Sequence, residues 1–389
     1  MLPNGNGIGT QRRAASTDYG LFSTKRAPET RKQRDNFLNA IDVIDHFDRV
    51  TASSFINERD KCAEASVQKP DSLWKSRSAT ADNIVPIVVV TPGLQHTYEQ
   101  HPSRIKHRHI MTQATDNLRP DSLLSIYYLS GRIPKEYRID HKAFLGNWEE
   151  DDFSFLFFLE AAPVEVENLL ARWPQLQLLD TYQMTYAEWQ GGSIESLHIG
   201  RFILHPPWET AAPEAGEIAI TLNSGVVFGN GTHPTTRDCL EAIDIACRGN
   251  KVKTMYDLGT GTGVLALAAA KLGCPKCLAV DFNHLAAITA QTNVRLNGLE
   301  ENVLVVNGRA EELLCRSSDL LVANIHYAVM KDIVRSDGFL RQKWFILSGL
   351  LNSEAEKITD YLRTLPVLLL KQWRQNGVWN TILGITESN

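Results

Sequence analysis

One short segment, residues 254–272, restricts the possible folds of this chain more than any other. Residues 254–258 (TMYDL) predict a short strand, residues 259–263 have the sequence GTGTG, and residues 264–272 are apolar and predict a helix. Glycines let the backbone approach a ligand closely, and the first turn of a helix presents N–H groups without partners. The segment therefore predicts a ligand site between the end of a strand and the start of a helix.

Strands and helices alternate along the remainder of the chain. The predicted elements are strands over 276–280, 303–306, 319–323 and 344–347, and helices over 284–296 and from Tyr327 and Ser353. This alternation predicts an α/β fold with a doubly wound, mostly parallel sheet. Ligands of such sheets bind at the carboxyl ends of the strands, and Asp281 follows the second of them directly.

Two positions bear on the kind of nucleotide that this sheet would bind. The glycine spacing also satisfies the dinucleotide fingerprint GxGxxA with a following Asp281, so an NAD-dependent oxidoreductase remains an alternative. A carboxylate at Asp281 can accept hydrogen bonds from both ribose hydroxyls. Asp257, two residues before the first glycine, would gain nothing beside a pyrophosphate but can pair with the ammonium group of S-adenosylmethionine. The carboxylate therefore favours S-adenosylmethionine.

The C-terminal segment points in the same direction. Residues 367–373 and 378–385 predict two strands around the turn Asn376-Gly377, a pair that is typical of a β-hairpin. An antiparallel hairpin that closes a parallel sheet resembles the seven-stranded fold of class I methyltransferases. The fold class is therefore predicted as this sheet, preceded by a small α+β domain and a poorly ordered N-terminal region.

A longer motif narrows the resemblance to one family. Residues 227–236 (VFGNGTHPTT) are similar to the signature that precedes the first strand in the PrmA family, whose members methylate amino groups of a large-subunit ribosomal protein. The matching positions continue in the order Thr236, Asp257-Leu-Gly259, Asp281, Asn324-Ile, Leu347-Ser-Gly349 and Trp379. The similarity covers residues 153–384. It implies an S-adenosylmethionine-dependent N-methyltransferase whose acceptor is a lysine or N-terminal amine of a protein, with a ribosomal protein as one candidate.

The residues and the resemblance together predict the site. The predicted cofactor-binding residues are Thr236, Asp257, Gly259, Gly261, Gly263, Asp281 and Asn324. Asn324 is also predicted as catalytic, because in the family this position lies beside the transferring methyl group. Tyr327 is the second catalytic candidate, since an aromatic ring can flank the cation that methyl transfer produces. Trp379 is predicted either in the same role or in the core, and no metal ligands are predicted.

The sequence after Asn324 departs from the family. Family members usually continue with Leu, whereas this chain has Ile325-His326-Tyr327. The aromatic residue three positions after Asn also resembles the Asn-Pro-Pro-Tyr loop of enzymes that methylate amide or exocyclic nitrogens, without its prolines. Another protein or a small molecule is therefore an alternative acceptor, and a binding module without turnover is a more remote reading.

The N-terminal third has no counterpart in the resemblance. Residues 1–36 carry seven Lys/Arg and three acidic residues among polar residues, and are predicted to be a disordered basic tail. Residues 37–117 form an extension of unknown fold. Residues 118–197 show strands, a helix and a last strand, and predict a small α+β substrate-recognition domain. Residues 198–215 are predicted as a linker before a methyltransferase domain over 216–389.

Composition excludes several other classes of protein. Forty basic and 45 acidic side chains give a net charge of −5, so no direct nucleic-acid binding is expected. The longest apolar run, residues 264–270, is far shorter than the roughly 20 residues that span a bilayer. Six unevenly spaced cysteines do not indicate a disulfide framework. A cytoplasmic protein without membrane association is expected, and the oligomeric state stays open.

Overall fold

The computed structural model describes residues 88–89, 118–134, 137–150, 152–249, 252–314, 316–375 and 377–387. The predictions for the basic tail (1–36) and for nearly all of the extension (37–117) therefore lie outside the described residues. Among the described residues, no helix is both long enough and apolar enough to cross a membrane.

The described residues form fifteen strands and seven α-helices. The strands are β1 (Val88–Val89), β2 (Leu123–Ser130), β3 (Phe144–Glu150), β4 (Phe153–Phe158), β5 (Gln177–Thr185), β6 (Leu197–Ile199), β7 (Phe202–His205), β8 (Ile218–Thr221), β9 (Thr254–Leu258), β10 (Lys276–Asp281), β11 (Val303–Asn307), β12 (Leu320–Asn324), β13 (Trp344–Leu351), β14 (Val367–Gln375) and β15 (Trp379–Thr386). The α-helices are α1 (Pro163–Arg172), α2 (Tyr186–Trp189), α3 (Pro234–Cys247), α4 (Val264–Lys271), α5 (His284–Leu296), α6 (Tyr327–Arg335) and α7 (Asn352–Leu362). Two 3-10 helices lie at Ala310–Glu312 and Phe339–Arg341.

The largest sheet has the strand order β1-β11-β10-β9-β12-β13-β15-β14. Strands β9 to β13 run parallel, while β15 is antiparallel to both of its neighbours. The predicted seven-stranded, mostly parallel sheet with its C-terminal hairpin is therefore confirmed. The short strand β1 adds an eighth member, antiparallel to β11 at the opposite edge.

Helices cover both faces of this sheet because successive strand residues point to opposite sides. In β9, Met255 belongs to the core cluster beneath α3, α4 and α5. Tyr256 and Leu258, which point to the opposite side of β9, belong to the cluster beneath α6 and α7. Strands that are buried on both faces read as continuous apolar runs, which is why they could be recognised from the sequence.

A second sheet of four antiparallel strands has the order β3-β4-β2-β5. Helix α1 packs on one face, where Val166 and Leu169 join a core with Leu129 of β2. The other face packs against residues that flank the large sheet. Phe157 of β4 shares a core cluster with Val226, which precedes α3, and with Leu285 of α5. The predicted order of three strands, a helix and a fourth strand is observed between residues 123 and 185.

The segment predicted as a linker contains regular structure. Strands β6, β7 and β8 form a third sheet, in which β7 pairs antiparallel with β6 and parallel with β8. All four residues of β7 are buried, and Phe202 and Leu204 pack into the core shared with α3 and α4. Residues 198–215 therefore include a buried strand as well as connecting segments, because the apolar residues 202–204 are buried.

Candidate cofactor and acceptor site

The glycine-rich loop between β9 and α4 has a backbone that excludes side chains at two positions. Gly259 and Gly261 have φ angles of 75° and 55°, in the left-handed region that favours glycine. A Cβ at Gly261 would lie 2.6 Å from the carbonyl oxygen of Phe228, and one at Gly259 would lie 2.2 Å from a methyl carbon of Ile325. The glycine-rich loop is thus in close contact with Phe228 at one glycine and with Ile325 at the other.

Asp257 lies beneath this loop and holds it against α4. Its Oδ2 accepts hydrogen bonds from the Thr260 hydroxyl at 2.6 Å and from the Ala266 N–H at 3.2 Å. The residue has no exposed surface, and its burial raises its pKa to about 7. Its other oxygen, Oδ1, is buried and has no hydrogen-bond partner. The predicted contact with an ammonium group would therefore have to use Oδ1.

Asp281 ends β10, the strand next to β9, and points its carboxylate at the same loop. Oδ2 accepts from the Gly261 N–H and Oδ1 from the Asn283 N–H, both at 2.9 Å. The side chain is 7% exposed, and burial raises its pKa to about 6 although these two hydrogen bonds lower it. Each carboxylate oxygen can accept a further hydrogen bond, so the group remains suited to a pair of hydroxyls.

Thr236 lies in the first turn of α3 and is almost fully buried, at 1% exposure. Its hydroxyl oxygen has no hydrogen-bond partner among the described residues. Buried hydroxyls are normally hydrogen-bonded, so this position is suited to a polar group of a ligand. The helix begins at His233, whose Nδ1 accepts from the Thr235 N–H. Burial lowers the pKa of His233, which favours the neutral imidazole that this contact needs.

The loop of residues 223–232, which precedes α3, lies against the glycine-rich loop. The carbonyl oxygen of Phe228 accepts from the Thr262 N–H at 3.2 Å, and that of Gly229 accepts from the Thr262 hydroxyl at 2.8 Å. Further along, the ring of His233 lies between those of Phe228 and Trp379, with centroid distances of 5.4 and 5.0 Å. Trp379 is therefore a half-buried member of an aromatic row rather than part of the core.

Asn324 ends β12, the other neighbour of β9, so its side chain lies at the same edge of the sheet as the two aspartates. It is half-buried and pairs in register with Ser348 of β13. A Cβ at Gly349 would come within 3.1 Å of Asn324 Oδ1, so the glycine leaves room for the amide.

Tyr327 begins α6 and packs partly against the core beneath α6 and α7. The Lys357 Nζ lies 5.7 Å from the centroid of its ring. The ring of Tyr327 therefore lies close to a cation of the chain itself, the Lys357 ammonium group. The sequence did not indicate this contact.

The geometry brings the predicted residues together from three neighbouring strands. Gly259, Asp281 and Asn324 follow or end β9, β10 and β12, and Thr236 lies at the start of α3, just after the loop that contacts Thr262. The prediction missed Thr262, whose contacts join the two loops; its position inside GTGTG was the available signal. Among the described residues, no cluster of three or more His, Cys, Asp or Glu side chains could hold a metal ion.

The strand order, with an antiparallel last strand inserted beside β13, defines the class I methyltransferase fold. A family model described as ribosomal protein L11 methyltransferase (PrmA) matches residues 147–387, more than half of the chain. The chain belongs to the PrmA family. The sequence allowed a methyltransferase family or a dehydrogenase family, and this match supports the methyltransferases.

Individual relatives agree with the family. A ribosomal protein L11 methyltransferase of Desulforamulus reducens is 32% identical over 194 residues, which cover 48% of this chain and 60% of the relative. One from Lacticaseibacillus paracasei is 34% identical over 208 residues, covering 52% of this chain and 64% of the relative. The chain thus spans about 60% of the length of these curated relatives.

Solved structures are similar over a comparable part of the chain. The crystal structure of a ribosomal protein L11 methylase from Lactobacillus delbrueckii subsp. bulgaricus is 26% identical. The similarity covers 50% of this chain and 98% of that chain, with a TM-score of 0.44.

Proposed function

We propose that the chain is an S-adenosylmethionine-dependent N-methyltransferase that acts on lysine or N-terminal amino groups of a protein in the cytoplasm. The observation that carries the proposal is the meeting of the glycine-rich loop, Asp281 and Asn324 at the carboxyl ends of three adjacent strands. This is the edge at which an open α/β sheet binds its ligand. Membership of the PrmA family supports the reaction class.

The residues present fit this cofactor. The carboxylate of Asp281 would accept the ribose hydroxyls, and the tight glycine-rich loop would let the cofactor lie against the backbone. The unpartnered hydroxyl of Thr236 and the unpartnered Oδ1 of Asp257 are two buried acceptors that a polar, cationic ligand would satisfy. When bound, S-adenosylmethionine supplies a methyl group activated by its sulfonium.

The acceptor amine would be held by Asn324. Its amide oxygen accepts hydrogen bonds from the amine and so directs the nitrogen lone pair toward the methyl group. A lysine amine has a pKa of about 10.4 in water, and its removal from water on binding lowers that pKa toward the neutral, nucleophilic form. Alignment of the two groups can provide most of the rate enhancement, so a dedicated base is not required. Tyr327 would form the wall beside the amine.

The identity of the acceptor is proposed from the relatives. Both curated relatives are named ribosomal protein L11 methyltransferases, which supports a ribosomal protein as the acceptor of this chain. We assign substrate recognition to residues 118–197 and catalysis to residues 216–389. The four-stranded sheet packs on Leu285 of α5, the helix that follows the strand ending in Asp281. An acceptor bound to the four-stranded sheet would therefore lie near the proposed cofactor site.

Calorimetric titration tests the proposal at the level of the cofactor. We expect the full chain to bind S-adenosylhomocysteine, the product of methyl transfer, and to show no heat of binding with NAD. An Asp281→Ala variant is the matched comparison, since it loses the carboxylate proposed for the ribose hydroxyls and should bind S-adenosylhomocysteine more weakly than the wild type. Binding of NAD in preference to S-adenosylhomocysteine would contradict the assignment.

A further inference from the structure

We propose that residues 185–190, which we call the clasp, position the cofactor loops from the neighbouring four-stranded sheet, with Gln190 as the positioning residue. The inference deepens the proposed function and rests on it. It concerns residues outside the set that the sequence predicted, and it assigns to the four-stranded sheet an effect on cofactor affinity in addition to acceptor recognition.

The clasp is firmly attached to its own sheet. It contains α2, which directly follows β5, and Thr185 caps it: the Glu188 N–H donates to the Thr185 hydroxyl while the Thr185 N–H donates to Glu188 Oε2. The backbone N–H of Tyr186 donates to the Ser122 carbonyl at 2.8 Å, at the start of β2. The ring of Trp189 lies 5.0 Å from that of Phe157 in β4. The clasp therefore moves with the four-stranded sheet.

The free end of the clasp is bonded to the loop of residues 223–232. The Gln190 Nε2 donates to the Gly225 carbonyl at 2.7 Å, and its Oε1 accepts from Asn230 Nδ2 at 2.9 Å. Both ends of one amide are thus bonded to loop positions five residues apart. The buried side chain of Tyr186 also packs in one core cluster with Val226 and Val227 of this loop.

The same loop makes the contacts that reach the cofactor site. Between the two points held by Gln190, Phe228 and Gly229 present the carbonyl oxygens that accept from Thr262. Thr262 is part of the glycine-rich loop, and Thr236 follows the clasped loop directly on α3. A shift of the loop would therefore move cofactor-binding groups on both of its sides.

The contacts of Gln190 are not themselves a ligand pocket. A cavity of about 40 Å³ lies beside Gln190, Ser224 and Asn230. This volume has room for water and is far below the roughly 300–1,000 Å³ of a typical ligand pocket. The side chain of Gln190 is only half-buried, so its contribution is expected in the ordering of the loop rather than in the core. A loop that is already ordered loses less conformational entropy when a ligand binds.

The test replaces Gln190 with leucine, which keeps the volume and removes both hydrogen bonds. We expect the Kd for S-adenosylhomocysteine in the full chain to rise by about three- to tenfold. The KM for S-adenosylmethionine should rise by a similar factor, while kcat at saturating cofactor stays within about twofold, because the amine-holding groups are untouched. Gln190→Glu retains the acceptor for Asn230 and should have an intermediate effect.

Gln177→Leu is the matched control, since Gln177 is an exposed glutamine on the same sheet. It should leave both the Kd and the thermal unfolding midpoint unchanged. If Gln190→Leu binds S-adenosylhomocysteine as tightly as the wild type, the clasp does not position the loop. A loss of affinity that only follows a general loss of stability, seen as a lowered midpoint, would also overturn the proposal. Failure of the wild-type chain to bind S-adenosylhomocysteine would instead reject the proposed function.

Discussion

Among single residues, two buried aspartates on adjacent strands both hold the glycine-rich loop by hydrogen bonds. Asp257 supports the loop from below through Thr260 and Ala266, and is completely enclosed. Asp281 supports it from the side through Gly261 and keeps a small exposed area. The two residues should therefore respond differently to substitution: one mainly in stability, the other mainly in ligand affinity.

The first prediction concerns Asp281. Its replacement by alanine removes the carboxylate that we propose for the ribose hydroxyls and the partner of the Gly261 N–H, so we expect cofactor affinity to fall by about 1–3 kcal/mol. Asp281→Asn keeps one acceptor oxygen and should lose less. Isothermal titration with S-adenosylhomocysteine measures both variants, and circular dichroism checks that they remain folded. Unchanged affinity in a folded Asp281→Ala variant would reject this position as part of the site.

The second prediction concerns the pH dependence of stability that arises from Asp257. Its pKa is raised to about 7 in the folded chain, whereas an aspartate in an unfolded chain has a pKa of about 3.9. Between these values the folded state holds a proton that the unfolded state has lost, so stability falls as the pH rises through this window. Asp257→Asn removes this titration and keeps an oxygen to accept from Thr260 and Ala266.

We therefore expect Asp257→Asn to exceed the wild type in free energy of unfolding by about 2–4 kcal/mol above pH 7. The difference should shrink as the pH approaches 4, where the wild-type carboxyl is protonated in both states. Urea denaturation of both proteins between pH 4.5 and 8 measures it. The same difference at every pH would contradict a raised pKa at this position.

At the scale of elements, the loops depend on close backbone contact. The third prediction is that Gly261→Ala lowers the free energy of unfolding by about 1–3 kcal/mol more than Gly273→Ala. Both glycines have a positive φ, but a Cβ at Gly261 would meet the Phe228 carbonyl oxygen at 2.6 Å, while at Gly273 it would meet open space. Chemical denaturation measures both variants. Equal losses of stability in the two variants would mean that the glycine-rich loop and the loop of residues 223–232 are not in close contact.

The elements also divide into those that the sequence predicts and those that it does not. The strand that ends in Asp281 and the helix after GTGTG were predictable, because burial on both faces of a sheet makes long apolar runs. The sheet of β6, β7 and β8 was not, since its strands have three or four residues and Pro206 and Pro207 directly follow β7. Strands this short are stabilised by packing against α3 and α4 rather than by local preference.

At the scale of the whole molecule, the positions that meet at the site were predictable where a motif marked them. Asp281 and Asn324 each end an apolar strand, and the ends of parallel strands meet at one edge of the sheet. The bonds of Gln190 to Gly225 and Asn230 were not predictable, because they join segments 35 and 40 residues apart and lie in no recognisable motif. The Lys357 amine over Tyr327 likewise depends on the packing of α6 beside α7.

The most direct test of the proposed function is transfer of a tritiated methyl group from S-adenosylmethionine to purified ribosomal protein L11 by the full chain. We expect a labelled protein, with mass spectrometry placing the added methyl groups on a lysine or N-terminal amine. Asn324→Ala should leave the acceptor unlabelled even at a concentration of S-adenosylmethionine that saturates the variant, because we propose that Asn324 holds the amine. Absence of label in this protein and in a whole-cell lysate, from a chain that binds S-adenosylhomocysteine, would contradict the proposed protein N-methyltransferase.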